Sequence, residues 1–133
     1  HNILKLFRYV SRPFMFTASP SPAVMATTRE ALNQLRSRPE LKEQLWSNAR
    51  QLYDGLQELG FELGPEISPV VAVRCKDRET ALAQWNQLLQ AGVYVNMMLP
   101  PATPAGASFL RCSISAAHQA EQIDTIIRKF KEL

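Results

Sequence analysis

The stretch PVVAVRC, residues 69–75, is apolar and rich in β-branched side chains, and it predicts a buried strand. Two more strands are predicted at VYVNMM, residues 93–98, and FLRCSI, residues 109–114. Asp77 begins a helix between the first two strands, and a last helix follows the third strand from about His118. This order predicts an α+β domain with a small antiparallel or mixed sheet of three to four strands and helices packed on one face.

Alternation within residues 109–114 separates the two faces of the third predicted strand. Leu110, Cys112 and Ile114 share one face, whereas Arg111 falls on the other. Inward positions in the helix from Asp77 are expected at Ala81, Trp85, Leu88 and Leu89.

The first forty residues are predicted to form two helices joined by an extended segment. Residues 3–10 place their apolar side chains on one helical face, and Pro13 is expected to stop that helix. Residues 14–16 are expected to be extended. Ser21 stands before a proline, a pair typical of a helix start, and a helix is predicted over 23–36.

The clearest helical pattern begins at Pro39 and ends at Gly60. Its apolar positions recur at steps of three and four residues: Leu41, Leu45, Ala49, Leu52, Leu56 and Leu59.

Composition excludes several classes of protein. A chain of 133 residues with 46% hydrophobic and 20% charged residues fits one globular domain. Cys75 and Cys112 cannot form a disulfide framework, two histidines leave no metal site, and a net charge of +3 is too small for a nucleic-acid-binding face. Prolines and glycines interrupt the uncharged run 80–110, so no membrane span is predicted, and we expect a reduced, cytoplasmic domain.

Two places in the sequence suit the binding of an anion. Arg111 lies within an apolar strand, where it forms either a structural salt bridge, the simpler interpretation, or a bidentate clamp on a carboxylate. Thr17 and Ser19 precede a helix N-terminus, which suits a phosphate, although turn and capping roles explain them more simply.

Nucleophilic catalysis has little support from the residue pattern. Ser113, Ser115, His118 and Asp124 contain the residue types of a catalytic triad, but no strained turn presents either serine, and Ser115 with His118 is more typical of a helix start. The five lysines all stand at polar or solvent-facing positions, so none is predicted to be a nucleophile.

Five motifs resemble one enzyme family. RPFMFTAS, residues 12–19, resembles the R-P-[FY]-x-F-[ST]-x-S segment of the pyridoxal-phosphate-dependent α-oxoamine synthases. YVNM at 94–97, PPATPAG at 100–106, LRCS at 110–113 and SAAH at 115–118 resemble the carboxy-terminal half of the same family. The match follows the family order over essentially the whole chain, and it is closest to the bacterial serine palmitoyltransferase branch.

The resemblance implies a fold-type-I enzyme in which residues 1–133 are the smaller, carboxy-terminal domain. Residues 1–38 would be a connecting segment and helix from the side of the large domain, and 39–133 the α+β core. Such homodimeric enzymes condense an amino acid, here L-serine, with a long-chain acyl-CoA such as palmitoyl-CoA, and release CoA and carbon dioxide. Pyridoxal 5'-phosphate is the cofactor, and the lipid substrate or product implies peripheral contact with a membrane.

Site roles follow from the same resemblance. Arg111 falls on the arginine that holds the substrate carboxylate. Thr17 and the backbone N–H of Ala18 fall on positions that hold the cofactor phosphate, toward the partner subunit. Leu99 stands where the family usually has an arginine. The Schiff-base lysine and the catalytic large domain would lie upstream of His1, so this chain is expected to carry no catalytic residue, to be a fragment, and to be inactive alone.

Two alternatives remain open. The full protein could be another α-oxoamine synthase, similar to aminooxononanoate synthase, that uses alanine or glycine. The chain could instead be a non-catalytic α+β module for binding or assembly that derives from the same fold.

Overall fold

The computed structural model describes residues 2–133, and His1, the residue at which a cut was expected, lies outside the described residues. The chain divides into two compact units, His1–Ser37 and Arg38–Leu133. That residues 1–133 form one carboxy-terminal domain of a longer enzyme stays a prediction.

The first unit consists of three helices: α1 (Asn2–Val10), α2 (Arg12–Met15) and α3 (Pro22–Ser37). The predictions of α1 and α3 are confirmed, but the expectation that residues 14–16 are extended is wrong. Pro13 lies in the first turn of α2, where a missing N–H leaves no helical hydrogen bond unmade, so the proline starts a short helix.

The first unit has a capped helix start and no buried residue among those described. The Ser21 hydroxyl accepts a hydrogen bond from the Val24 N–H at 3.3 Å, as its predicted role at the start of α3 requires. No described residue of the unit is buried. Its large apolar side chains are more than half exposed, among them Ile3, Leu6, Phe7, Val10, Val24, Met25, Leu32 and Leu35.

The second unit has the predicted order of helices and strands. Its elements are α4 (Pro39–Glu58), β1 (Val70–Cys75), α5 (Arg78–Gln90), β2 (Asn96–Met98), a 3-10 turn (Pro104–Gly106), β3 (Ser108–Ser113) and α6 (Ala120–Lys131). Asp77 caps α5 as predicted, because its carboxylate accepts a hydrogen bond from the Thr80 N–H at 2.7 Å. That hydrogen bond lowers the pKa of Asp77.

Strand β2 is three residues shorter than the predicted strand over 93–98. The Val93 N–H donates to the Leu88 carbonyl at 2.8 Å, and the indole N–H of Trp85 donates to the Val95 carbonyl at 2.9 Å. Because these backbone groups bond to α5, they are not available to a sheet ladder, and both valines are buried as part of a loop.

The sheet has three antiparallel strands in the order β1-β3-β2, with β3 in the centre. Arg111 on β3 lies directly opposite Ala72 on β1 and Asn96 on β2. The predicted α+β class and the antiparallel pairing of the second and third strands are therefore confirmed.

All three long helices of this unit pack on one face of the sheet. Leu110, Cys112 and Ile114, which were predicted to share one face, are all buried there. The largest fully buried side chains are Phe130, Leu52, Leu56, Leu88, Leu110, Ile123 and Val73. Leu89 does not belong to this core, since it is 39% exposed on the outer side of α5. Among residues 2–133, no helix has both the length and the apolar character required to cross a bilayer.

Gly55 marks a close approach of α4 to α6, and it yields a stability prediction. A Cβ atom at position 55 would lie 2.5 Å from Ile127 Cδ1. Replacement of an exposed helical glycine by alanine stabilises a protein by about 1 kcal/mol. The Ile127 side chain has to shift to make room, with its Cγ1 also only 3.0 Å away, so Gly55→Ala is expected to lower the free energy of unfolding by about 1 kcal/mol. Urea denaturation followed by the fluorescence of Trp46 and Trp85 measures this change.

Ile127→Val provides the control for that measurement. It removes the Cδ1 atom, so Gly55→Ala should cost less in the Ile127→Val background than in the original chain. An increase of stability on Gly55→Ala alone would contradict the close approach.

Candidate functional site

Arg111 lies on the open face of the sheet, the face opposite the helices. The two-residue period of β3 buries Leu110 and Cys112, and so it directs Arg111 to the other side. The neighbouring positions on this face are Asn96 and Ala72. The guanidinium is thus carried by the central strand, which hydrogen bonds to a strand on each side.

The hydrogen bonds of Arg111 are incomplete. Its Nη2 donates to the Asn96 Oδ1 at 3.2 Å, whereas its Nε is buried and has no hydrogen-bond partner within the described part of the chain. No ion pair among residues 2–133 includes Arg111, so the structural salt bridge considered above is not formed inside this chain. A buried donor without an acceptor costs about 1–3 kcal/mol, and a bound carboxylate would remove that cost.

A second arginine on the same face has a different environment. Arg74 on β1 lies opposite Phe109, and its Nη1 is 3.0 Å from Glu62 Oε1. Both side chains of that pair are more than half exposed. Arg74 therefore pairs with a carboxylate within the chain, whereas the hydrogen-bond partner of Arg111 is the neutral amide of Asn96.

Thr17 and Ala18 follow α2 in the first unit, and both are exposed. The Thr17 hydroxyl donates to the Pro13 carbonyl. The Ala18 N–H has no hydrogen-bond partner among the described residues. A hydroxyl and a free backbone N–H at one exposed turn fit the chemistry of a phosphate, provided that the hydroxyl rotates away from Pro13.

Ser115 and His118 are close together but do not form a triad. Ser115 Oγ is 3.1 Å from His118 Nδ1, and the Ser115 N–H donates to the same nitrogen at 3.0 Å. Asp124 accepts from Gln51 at 2.7 Å and has no bond to His118. The pair instead stabilises the turn before α6, which begins at Ala120, two residues after the predicted start.

Two asparagines that make specific side-chain hydrogen bonds, one in the core and one at Arg111, were not predicted from the sequence. Asn48 is 1% exposed, and its amide donates to the carbonyls of Ser115 and His118 at 3.1 and 2.8 Å. The sequence feature that could have indicated Asn48 is its position as a polar residue inside the apolar stripe of α4. Asn96 gave no local signal, because its partner Arg111 is 15 residues away in the chain. Leu99, at the position where the resemblance predicts an arginine, packs against the core.

The model of the Aminotransferase class I and II family matches residues 1–130. The chain belongs to this family.

Similar proteins of this family include serine palmitoyltransferases. That of Caulobacter vibrioides is 50% identical over all of this chain and 33% of its own length, and that of Sphingomonas paucimobilis is 47% identical over 98% of this chain and 32% of its own. A solved structure of S. paucimobilis serine palmitoyltransferase with bound PLP–myriocin aldimine has a TM-score of 0.91 at 46% identity, over 99% of this chain and 34% of that one.

An 8-amino-7-oxononanoate synthase of Alkaliphilus oremlandii is 34% identical over 92% of this chain and 31% of its own length. The resemblance to α-oxoamine synthases is confirmed, and this family member spans about a third of the length of the relatives it matches.

Cys112 is next to Arg111 but faces the core. Burial raises the pKa of its thiol to about 12. A thiol of this kind is protonated at neutral pH, so Cys112 is not a nucleophile. Its contribution is to hold β3 against the helices.

The raised pKa of Cys112 predicts a pH dependence of stability. Below pH 9 the thiol is protonated in both states, whereas between pH 9 and about 12 only the unfolded chain loses the proton. The free energy of unfolding should therefore fall as pH rises through this window, by up to about 1.4 kcal/mol per pH unit from this group. Urea denaturation at pH 8, 9, 10 and 11 should give a shallower fall for Cys112→Ala.

Cys75→Ala is the control for the pH series. Burial raises the pKa of Cys75 as well, but the shift is smaller than that of Cys112, so this substitution should change the slope less. Parallel curves for the original chain and Cys112→Ala would contradict the raised pKa.

Proposed function

We propose that the full-length protein is a pyridoxal-phosphate-dependent C-acyltransferase that condenses L-serine with palmitoyl-CoA or a similar long-chain acyl-CoA, and releases CoA and carbon dioxide. This chain would be its carboxy-terminal domain. The observation that carries the proposal is the buried, unpartnered Nε of Arg111, in a chain that is half identical to a serine palmitoyltransferase.

Arg111 would hold the substrate carboxylate. A guanidinium offers two parallel N–H donors that match the two oxygens of a carboxylate, and it stays charged at every physiological pH. The guanidinium is partly buried, where such a pair is stronger than in water. An amino acid held at its carboxylate keeps its α-carbon in one position, which lowers the entropic part of the barrier to reaction.

Pyridoxal phosphate, when bound, supplies an electron sink for the carbanion at the α-carbon of the amino acid. The solved structures of similar proteins that carry PLP support this cofactor for the full-length protein. Thr17 and the Ala18 N–H would hold its phosphate, toward the partner subunit. The lysine that binds the cofactor would come from the rest of the protein.

The exposed apolar side chains of α1 and α3 support a covering partner, for which we propose the upstream large domain and the second subunit of a homodimer. Both cysteines are unpaired, which fits a reducing compartment such as the cytoplasm. We propose peripheral contact with a membrane only because the proposed substrate and product are lipids.

Arg111→Ala in the full-length protein tests the carboxylate clamp. The dissociation constant of L-serine is expected to rise at least about 30-fold, because loss of one partner of a desolvated charge pair costs about 2–5 kcal/mol. Calorimetric or spectral titration measures it. Arg74→Ala removes an arginine of the same sheet face that already has a counter-ion, so it should leave the dissociation constant unchanged.

Three outcomes separate the alternatives. An unchanged serine dissociation constant in Arg111→Ala would refute the clamp. Turnover of alanine or glycine in preference to serine would favour another α-oxoamine synthase. A full-length protein that binds neither pyridoxal phosphate nor an amino acid would favour the non-catalytic module.

Thr17→Ala tests the phosphate site. A hydrogen bond to a charged group contributes about 1.5–3 kcal/mol, so the affinity for pyridoxal phosphate should fall roughly 10- to 100-fold. Cofactor retained after dialysis is the measurement, and Thr17→Ser should restore it. Thr27→Ala is the control, because the Thr27 hydroxyl bonds to carbonyls of its own helix. If the Thr17→Ala and Thr27→Ala variants retain equal amounts of cofactor, Thr17 does not hold the cofactor phosphate.

A further inference from the structure

We infer that Asn96 is a positioning residue that turns the Arg111 guanidinium so that its Nε edge meets the substrate carboxylate. The inference rests on the proposed function of Arg111 and adds a second residue to that site.

The strand register places Asn96 beside Arg111. Asn96 on β2 lies directly opposite Arg111 on β3, so the two side chains stand side by side on the open face. On the other side of Arg111 lies Ala72, whose methyl group offers no hydrogen bond. Within the described residues, Asn96 is the side chain that bonds to the guanidinium.

The orientation of the Asn96 amide follows from chemistry. A guanidinium carries donors only, so the amide oxygen has to face Arg111, and Oδ1 is 3.2 Å from Nη2. The amide nitrogen then points away and donates to the Tyr94 hydroxyl at 3.4 Å. The amide is therefore held at both ends, and it fixes one edge of the guanidinium plane.

The donors that Asn96 leaves free define the binding edge. Nη2 has two N–H groups, of which Asn96 accepts one, and Nε has one N–H that is buried without a partner. Nε and Nη2 lie on the same side of the planar group, where a carboxylate can accept from both. The geometry points to this edge as the place where the substrate carboxylate binds.

The Asn96 amide that bonds to Arg111 is neutral. An amide orients the guanidinium and leaves its positive charge unmatched. An aspartate of the same shape would bind Arg111 as an ion pair and would compete with the substrate. A purely structural role predicts that Asn96→Asp preserves function, whereas a positioning role predicts that it impairs binding more than Asn96→Ala does.

The experiment measures the dissociation constant of L-serine in the full-length protein loaded with pyridoxal phosphate. Cofactor content and the thermal unfolding midpoint are recorded beside it. Asn96→Ala is expected to raise the dissociation constant about 5- to 30-fold, and Asn96→Asp by more. Asn86→Ala, an exposed asparagine of α5, is the matched control and should change nothing.

A double-mutant cycle separates positioning from general destabilisation. In an Arg111→Ala background there is no guanidinium to orient, so Asn96→Ala should change the dissociation constant less than about 2-fold. Should Asn96→Ala fail to retain cofactor, the isosteric Asn96→Asp carries the test alone.

Serine affinity in Asn96→Asp equal to that of the original protein would overturn the inference. So would an Asn96→Ala effect of the same size with and without Arg111. In both cases the clamp itself stands if Arg111→Ala weakens serine binding. An unchanged affinity in Arg111→Ala would instead overturn the proposed function, and the inference with it.

Discussion

The two-residue period of β3 fixes which of its side chains can be charged. Leu110 and Cys112 are buried among the helices, so Arg111 between them has to face the open side of the sheet. A slip of one residue would place the guanidinium in the apolar core, where an unpaired charge is very costly. Because β3 has a partner strand on each side, a slip would also break two ladders. The apolar core therefore positions the cation of the site.

The end of β3 is fixed as firmly as its centre. The Ile114 N–H donates to the Pro69 carbonyl at 2.8 Å, which continues the pairing past the last strand residue. Beyond it, Asn48 bonds to two carbonyls of the turn that leads to α6. A buried amide with every partner in place specifies one geometry, since any other leaves polar groups unsatisfied. The core helix α4 thus fixes the turn that follows the strand carrying Arg111.

The elements that sequence reasoning identified correctly are those whose pattern is set by burial. The stripe of α4 and the alternation of β3 each report contact with one core, so they are visible without the fold. The short helix α2 and the late start of β2 depend instead on local geometry and on a side chain, Trp85, that occupies a backbone carbonyl. Arg111 could be suspected because it is charged in an apolar strand. Asn96 could not, because only the strand register brings it to Arg111.

The two arginines of the open face show why the incomplete hydrogen bonding of Arg111 matters. Arg74 forms an ion pair with the carboxylate of Glu62. Because both side chains are exposed, this pair contributes little to stability. Arg111 is less exposed, and its partner is a neutral amide, so part of its hydrogen-bonding capacity is unused in the free chain. A buried donor without a partner costs free energy, and a carboxylate at the proposed site would recover it. The unpartnered Nε of Arg111 is therefore the feature on which the proposed carboxylate binding rests.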